Sequence, residues 1–202
     1  MNQILKVWTE KKQVAIIVLV AILYAGLLVP FKPFPIVPGY TEFRLANFIP
    51  PLAGVLFGPA GAWGAAFGNL SADFFGTLSW GSAFGFVGNF LFGYVAYKIW
   101  NLVVTKGKPE IEAIDIGYFL VAGLVASTVC ALVIGIGVFA LGLQTFLNAL
   151  FLSMFITMNN FFPTAVFGPI FLWASYARLR KAGYICEDSW GKKEEKVETV
   201  PN

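Results

Sequence analysis

Between Val14 and Tyr97 the chain carries four charged side chains: Lys32, Glu42, Arg44 and Asp73. Their surroundings are apolar, aromatic or glycine, and a charge in membrane-grade sequence needs a partner or a wet cavity. Arg44 offers a planar guanidinium that clamps carboxylates and other planar acceptors. Glu42 and Asp73 are its candidate counter-charges, so a salt-bridged helix anchor and one wall of a ligand pocket are both open, and the two are compatible. Asn69, Asn89, Asn159 and Asn160 each donate and accept hydrogen bonds. Amides in membrane helices serve first as interhelical bonds, worth about 0.6 kcal/mol on average. Four at comparable depth exceed what packing requires, which points to ligand contact. Asn47 joins them as a candidate, in a stretch Asn47-Phe-Ile-Pro50 that loosely echoes Asn160-Phe-Phe-Pro163. Trp63 and Phe74 are candidate aromatic walls, whereas Trp80 equally suits an interfacial belt.

The elements that must hold these groups are membrane helices. The chain is 58% hydrophobic and only 12% charged, about half the charge of an ordinary soluble domain. Its mean hydropathy is +0.75. An apolar run of ~20 residues is needed per crossing, and six candidates follow: 14–29, 43–57, 59–78, 81–100, 114–141 and 145–175. The second is short and holds Pro50-Pro51, so a bent or re-entrant segment is the alternative there. Pro163 and Pro169 interrupt the sixth. Asp115 sits at the amino end of the fifth, where a carboxylate suits the helix dipole. No small-residue cleavage site precedes Tyr24 and the proline-rich stretch that follows it, which predicts a retained first span.

Basic clusters fall before the first span, after the fourth and after the sixth. With six spans and both termini cytoplasmic, all of them lie inside, Lys32 excepted. The expected class is therefore an all-α, multi-pass cell-membrane protein, with a six-helix domain over 1–184 and a charged cytoplasmic tail over 185–202. In that topology the embedded polar groups gather in the outer half, as a pocket open to the outside requires.

The chain has no histidine and two cysteines without motif spacing, so no metal site, disulfide or cofactor is indicated. No Walker loop, nucleophile elbow or HExxH occurs. The small net charge of +3 belongs to segment ends and argues against a nucleic-acid surface. Ala21-Ile-Leu-Tyr-Ala25 puts two small residues one turn apart, a face that lets another helix approach closely, within this chain or from a partner.

Taken together, six spans, the alanine face, the absence of an ATPase motif and the run Glu42-Phe43-Arg44-Leu45, Pro50, Gly58-Pro59, Gly68-Asn69 make the chain similar to the substrate-binding (S) components of energy-coupling factor transporters, and most of all to the QueT-type branch. The resemblance implies capture of a vitamin-like or nucleobase-like micronutrient, a queuosine precursor first, from outside the bilayer. It further implies docking through Ala21 and Ala25 on a transmembrane coupling subunit that rests on two ATPase subunits. For a 7-deazaguanine-type ligand the asparagines would read the base edge and Trp63 or Phe74 would stack. A self-sufficient channel or secondary transporter is the main rival. A membrane enzyme lacks the residue types, and an assembly factor leaves the outer polar bias unexplained.

Overall fold

The computed structural model describes residues 3–31, 35–37, 41–42, 44–76, 78–105 and 107–186, the side chains of 31, 35–37, 41 and 42 excepted. Lys32, the Glu42 side chain and the tail from 187 onward therefore lie outside the described residues. Six helices carry the fold: α1 (Lys11–Leu28), α2 (Ile49–Phe57), α3 (Pro59–Asp73), α4 (Gly81–Val103), α5 (Ala113–Ala140) and α6 (Phe146–Lys181). A one-turn helix and a 3₁₀ turn (Gln3–Lys6 and Val7–Thr9) precede α1, a second 3₁₀ turn, Val29–Phe31, follows it, and a third, Leu45–Phe48, leads into α2. Among the described residues the strands form one two-stranded antiparallel ribbon, β1 (Pro35–Val37) with β2 (Thr41–Glu42).

Pro50, Pro51, Pro163 and Pro169 do not interrupt their helices as expected, whereas Pro59 opens one. Pro50 and Pro51 lie in the first turn of α2, where a missing N–H costs nothing. Gly58, at φ +59, reverses the chain so that Pro59 opens α3. In α6 the helix runs on through Pro163 and Pro169 for 36 residues. Neither proline has an N–H to give to the carbonyl four residues back, those positions being Asn159 and Ala165.

By length and apolarity α1, α5 and α6 are able to cross a bilayer. At 1.5 Å per residue α6 extends about 54 Å, beyond a ~30 Å hydrocarbon core. Its last turn accordingly carries Arg178, Arg180 and Lys181. By the same rule the nine residues of α2 reach only about 14 Å. That is tolerable because α2 is enclosed: it touches α3, α4 and α6, with Pro50, Pro51, Ala53, Gly54, Val55 and Leu56 all buried. Short, irregular backbone at membrane depth persists where protein rather than lipid surrounds it.

Glycine sets the helix spacing. A Cβ on Gly64 would meet Val20 of α1 at 2.6 Å, and one on Gly68 would meet Tyr24 at 2.9 Å. Such bare faces let helices approach to backbone contact. Outward, Leu19, Ile22, Leu23 and Leu27 of α1, and Met154, Phe155, Met158 and Trp173 of α6, are exposed, an apolar girdle suited to lipid.

The end bearing the amino terminus of α1 also receives the end of α6. Lys12 Nζ donates to the Gly183 carbonyl at 2.5 Å and lies 4.2 Å from the Tyr184 ring centroid. Ile185 and Cys186 are buried beyond it, with Cys186 Sγ 4.0 Å from the Tyr97 hydroxyl. Between α4 and α5, Asp115 accepts from the Glu112 N–H at 2.9 Å and from Lys108 Nζ at 3.2 Å. Desolvation pushes the Lys108 pKa down, but hydrogen bonds and charge from Asp115 and Glu112 outweigh it and the value is raised. A raised lysine pKa stabilises the fold fully below the ordinary value of 10.5 and less as pH climbs through the raised one. Asp115→Ala removes its half of the capping box with Glu112 and the ion pair to Lys108 together. A lost capping contact costs about 1 kcal/mol, so the thermal midpoint in detergent at neutral pH is expected to fall by about 2–4 °C or more, with a smaller gap to wild type once pH climbs through the raised lysine pKa.

Candidate functional site

Five elements converge on one buried polar network. From α1, Tyr24 is fully buried, with its hydroxyl 2.7 Å from Asn47 Oδ1 and 2.9 Å from Asn89 Oδ1. Asn47 lies in the 3₁₀ turn, which the Pro50-Pro51 pair obliges to end just before α2. Its Nδ2 donates to Asn160 Oδ1 at 2.5 Å, and its carbonyl lies 3.1 Å from Thr164 Oγ1. Asn89 Nδ2 donates to the Gly85 carbonyl one turn back at 2.9 Å.

Arg44, immediately before the same turn, donates from Nη1 to Asn69 Oδ1 of α3 at 2.8 Å, and its backbone N–H donates to Asn159 Oδ1 at 3.4 Å. The third helix also brings buried Asp73 to this place. A Cβ on Gly85 of α4 would lie 3.1 Å from Asn69 Nδ2 and 4.0 Å from Asp73 Oδ2. Glycine at 85 thus lets the Asn69 amide pack closely against the bare α4 backbone, with the Asp73 carboxylate beside it. Asn47, Asn69, Asn89 and Asn160 are each at most 3% exposed. Isolated in hydrocarbon, each would cost several kcal/mol; collected, they satisfy one another in a cluster of carboxamides and one guanidinium.

Hydrogen bonding is the chemistry this set supports. Among the described residues no three histidine, cysteine or carboxylate side chains stand where they could share a metal ion, and the network pairs no nucleophile with a base. A protein-family comparison decides the identity: the QueT transporter family matches residues 14–176. The chain belongs to the QueT transporter family. No match exists among curated proteins or among solved structures. QueT proteins are S components of energy-coupling factor transporters, so this QueT protein is a membrane transport component and not an enzyme. The matched residues run from the first turn of α1 to Tyr176 in α6 and so contain the whole network.

In this QueT protein Arg44, Asn47, Asn69, Asp73, Asn89, Asn159 and Asn160 lie together. Trp63 and Phe74 do not join them. Trp63 Nε1 donates to the Ile4 carbonyl at 3.0 Å, and its ring packs with Trp8, Phe67, Phe86 and Phe90. Phe74 follows the end of α3 and is 67% exposed. Asn148 and Gln144 pair with each other on an exposed face. Ala21 and Ala25 border an apolar groove of about 400 Å³ between α1 and α3, with Val18 and Ile22 on one wall and Phe67 and Ser71 on the other.

Two members escaped the sequence reading. Tyr24 reads as one more large side chain in an apolar helix, although its hydroxyl has to find a partner once buried. Thr164 follows Pro163 and donates to the Asn160 carbonyl at 2.8 Å. The proline in the middle of an amide-bearing helix was the available signal for it.

Proposed function

We propose that this S component binds a queuosine precursor, a 7-deazaguanine-type base, from the outer side of the membrane and presents it to an ATP-driven partner module. The observation that carries the reading is the convergence of five elements on the carboxamide–guanidinium network around Arg44, Asn47, Asn69, Asn89 and Asn160. A flat, amide-edged base offers alternating donors and acceptors at the spacing such side chains satisfy. Glu42, Asp73 and Asn159 complete the proposed site. Trp63 and Phe74, away from the network, are weaker candidates for stacking.

In the proposed topology the chain crosses six times with both termini cytoplasmic. Supporting this, Lys12 of α1 meets the segment after α6, and Lys98, Lys108, Arg178 and Lys181 fall at chain positions that an inside assignment requires. The groove beside Ala21 and Ala25 then takes the transmembrane coupling subunit, whose helix would lie against small residues, and two ATPase subunits complete the importer.

Purification in mild detergent followed by mass spectrometry of co-purifying small molecules tests the reading. The expected result is a 7-deazaguanine-type compound at near-equimolar amount, and no uptake by proteoliposomes holding this chain alone. Uptake by the chain alone would instead establish the self-sufficient transporter.

A further inference from the structure

The Tyr24 hydroxyl has one proton and two carboxamide oxygens within hydrogen-bond distance, Asn47 Oδ1 and Asn89 Oδ1. Neither amide is free to turn over without loss. Asn47 Nδ2 is committed to Asn160 Oδ1, and Asn89 Nδ2 to the Gly85 carbonyl. The network is therefore one proton short at Tyr24, which can donate to the 3₁₀ turn or to α4 but not to both. That is a two-state element, and it sits on the helix that borders the groove. The α1 face bearing Ala21 and Ala25 lies about a quarter turn from Tyr24. The groove's other wall, Phe67 and Ser71, brackets Asn69, the partner of Arg44 on α3. Gly68 holds the two helices together, since a Cβ there would meet the Ala21 carbonyl at 3.0 Å and Tyr24 at 2.9 Å.

We infer that Tyr24 is a positioning residue that couples occupancy of the network to the shape of the Ala21–Ala25 groove. This rests on the docking role proposed for that groove. A ligand N–H directed at either Asn47 or Asn89 supplies the missing proton and commits Tyr24 to the other. The α1 backbone, in direct contact with α3, then settles in one of two positions.

The test uses the full-length chain in lipid nanodiscs with a nitroxide at Ile22→Cys. That site is 64% exposed, whereas Cys130 and Cys186 are buried and escape labelling. Without any ligand, Asn89→Ala is expected to change the spectrum when Tyr24 is present and to add nothing after Tyr24→Phe. Asn89→Ser replaces Asn89→Ala if the latter does not fold. An equal change in both backgrounds, or none in either, overturns the coupling. With saturating 7-deazaguanine, the label's response is expected to be largely lost in Tyr24→Phe. Saturation matters because weaker affinity alone leaves that response intact, and an undiminished response also overturns the coupling. Failure of 7-deazaguanine to bind wild type counts against the proposed substrate instead, and the ligand-free comparison still decides the role of Tyr24.

Discussion

Arg44→Ala is expected to weaken binding of 7-deazaguanine, or of the compound that co-purifies, by about 10- to 100-fold. A hydrogen bond to a charged group is worth about 1.5–3 kcal/mol, and 1.4 kcal/mol is tenfold in affinity. The side chain is placed for this by its own network: Nη1 is held by Asn69 at 2.8 Å and the backbone N–H by Asn159. Part of the ordering cost of a long side chain is thus met before ligand arrives. Arg44→Lys is expected to recover little, because an ammonium cannot reproduce the planar fork. Asn69→Ala and Asn89→Ala should each weaken binding by a smaller factor, since neutral hydrogen bonds contribute about 0.5–1.5 kcal/mol. Calorimetry on the purified variants checks the series. Unchanged affinity in Arg44→Ala, Asn69→Ala and Asn89→Ala would remove the network from the binding site and leave it as structural glue.

The amides were legible in the sequence because a carboxamide in an apolar helix is conspicuous and must find a partner. Depth along each helix was legible too, and it had more to say than was taken from it. Trp63 precedes Asn69 by six residues, about 9 Å along the helix axis, so the two cannot wall one compact pocket at the same level. Phe74 lies one residue past the end of α3, a boundary that composition set at 78 because apolar residues continue to that point. The central position of α2 was not legible, since apolar composition reads alike against lipid and against protein. Its length was the clue: a helix of nine residues cannot alone cover the depth of the hydrocarbon core, so its irregular ends call for shelter. Pro163 and Pro169 looked like breaks because each forfeits a backbone bond, yet packing of α6 against α5 and α2 carries the helix through both. The basic residues after 175 were read as the end of the sixth span. Arg and Lys are good helix formers, and α6 simply continues past the apolar stretch into water.

The shelter around α2 makes a second large effect predictable, this one on folding. A Cβ placed on Gly54 would press on the Gly93 carbonyl oxygen, with Gly93 C at 2.7 Å and Cα at 2.9 Å. Every one of those atoms is backbone, so no rotamer change relieves the clash, and α2 and α4 must separate. Gly93 is equally confined from its own side, where a Cβ would meet Ala62 Cα at 2.9 Å and the Pro50 carbonyl at 3.1 Å. Gly54→Ala is therefore expected to cost at least the ~1–3 kcal/mol of ordinary overpacking, and Gly54→Val to prevent recovery of folded protein. Gly26→Ala on α1 is the control, because nothing lies within 4 Å of its Cβ position; there the helix propensity of alanine favours the variant by up to ~1 kcal/mol. Size-exclusion profiles after a heating series read both. The same displacement should reach the site, since Asn47 is fixed to the head of α2 through a single 3₁₀ turn. Gly54→Ala, where it folds, is thus expected to bind ligand more weakly although residue 54 belongs to no part of the network. If it folds and binds as wild type does, the seat of α2 against α4 is not what holds Asn47 in place, and the Thr164 and Asn160 contacts from α6 must do so alone.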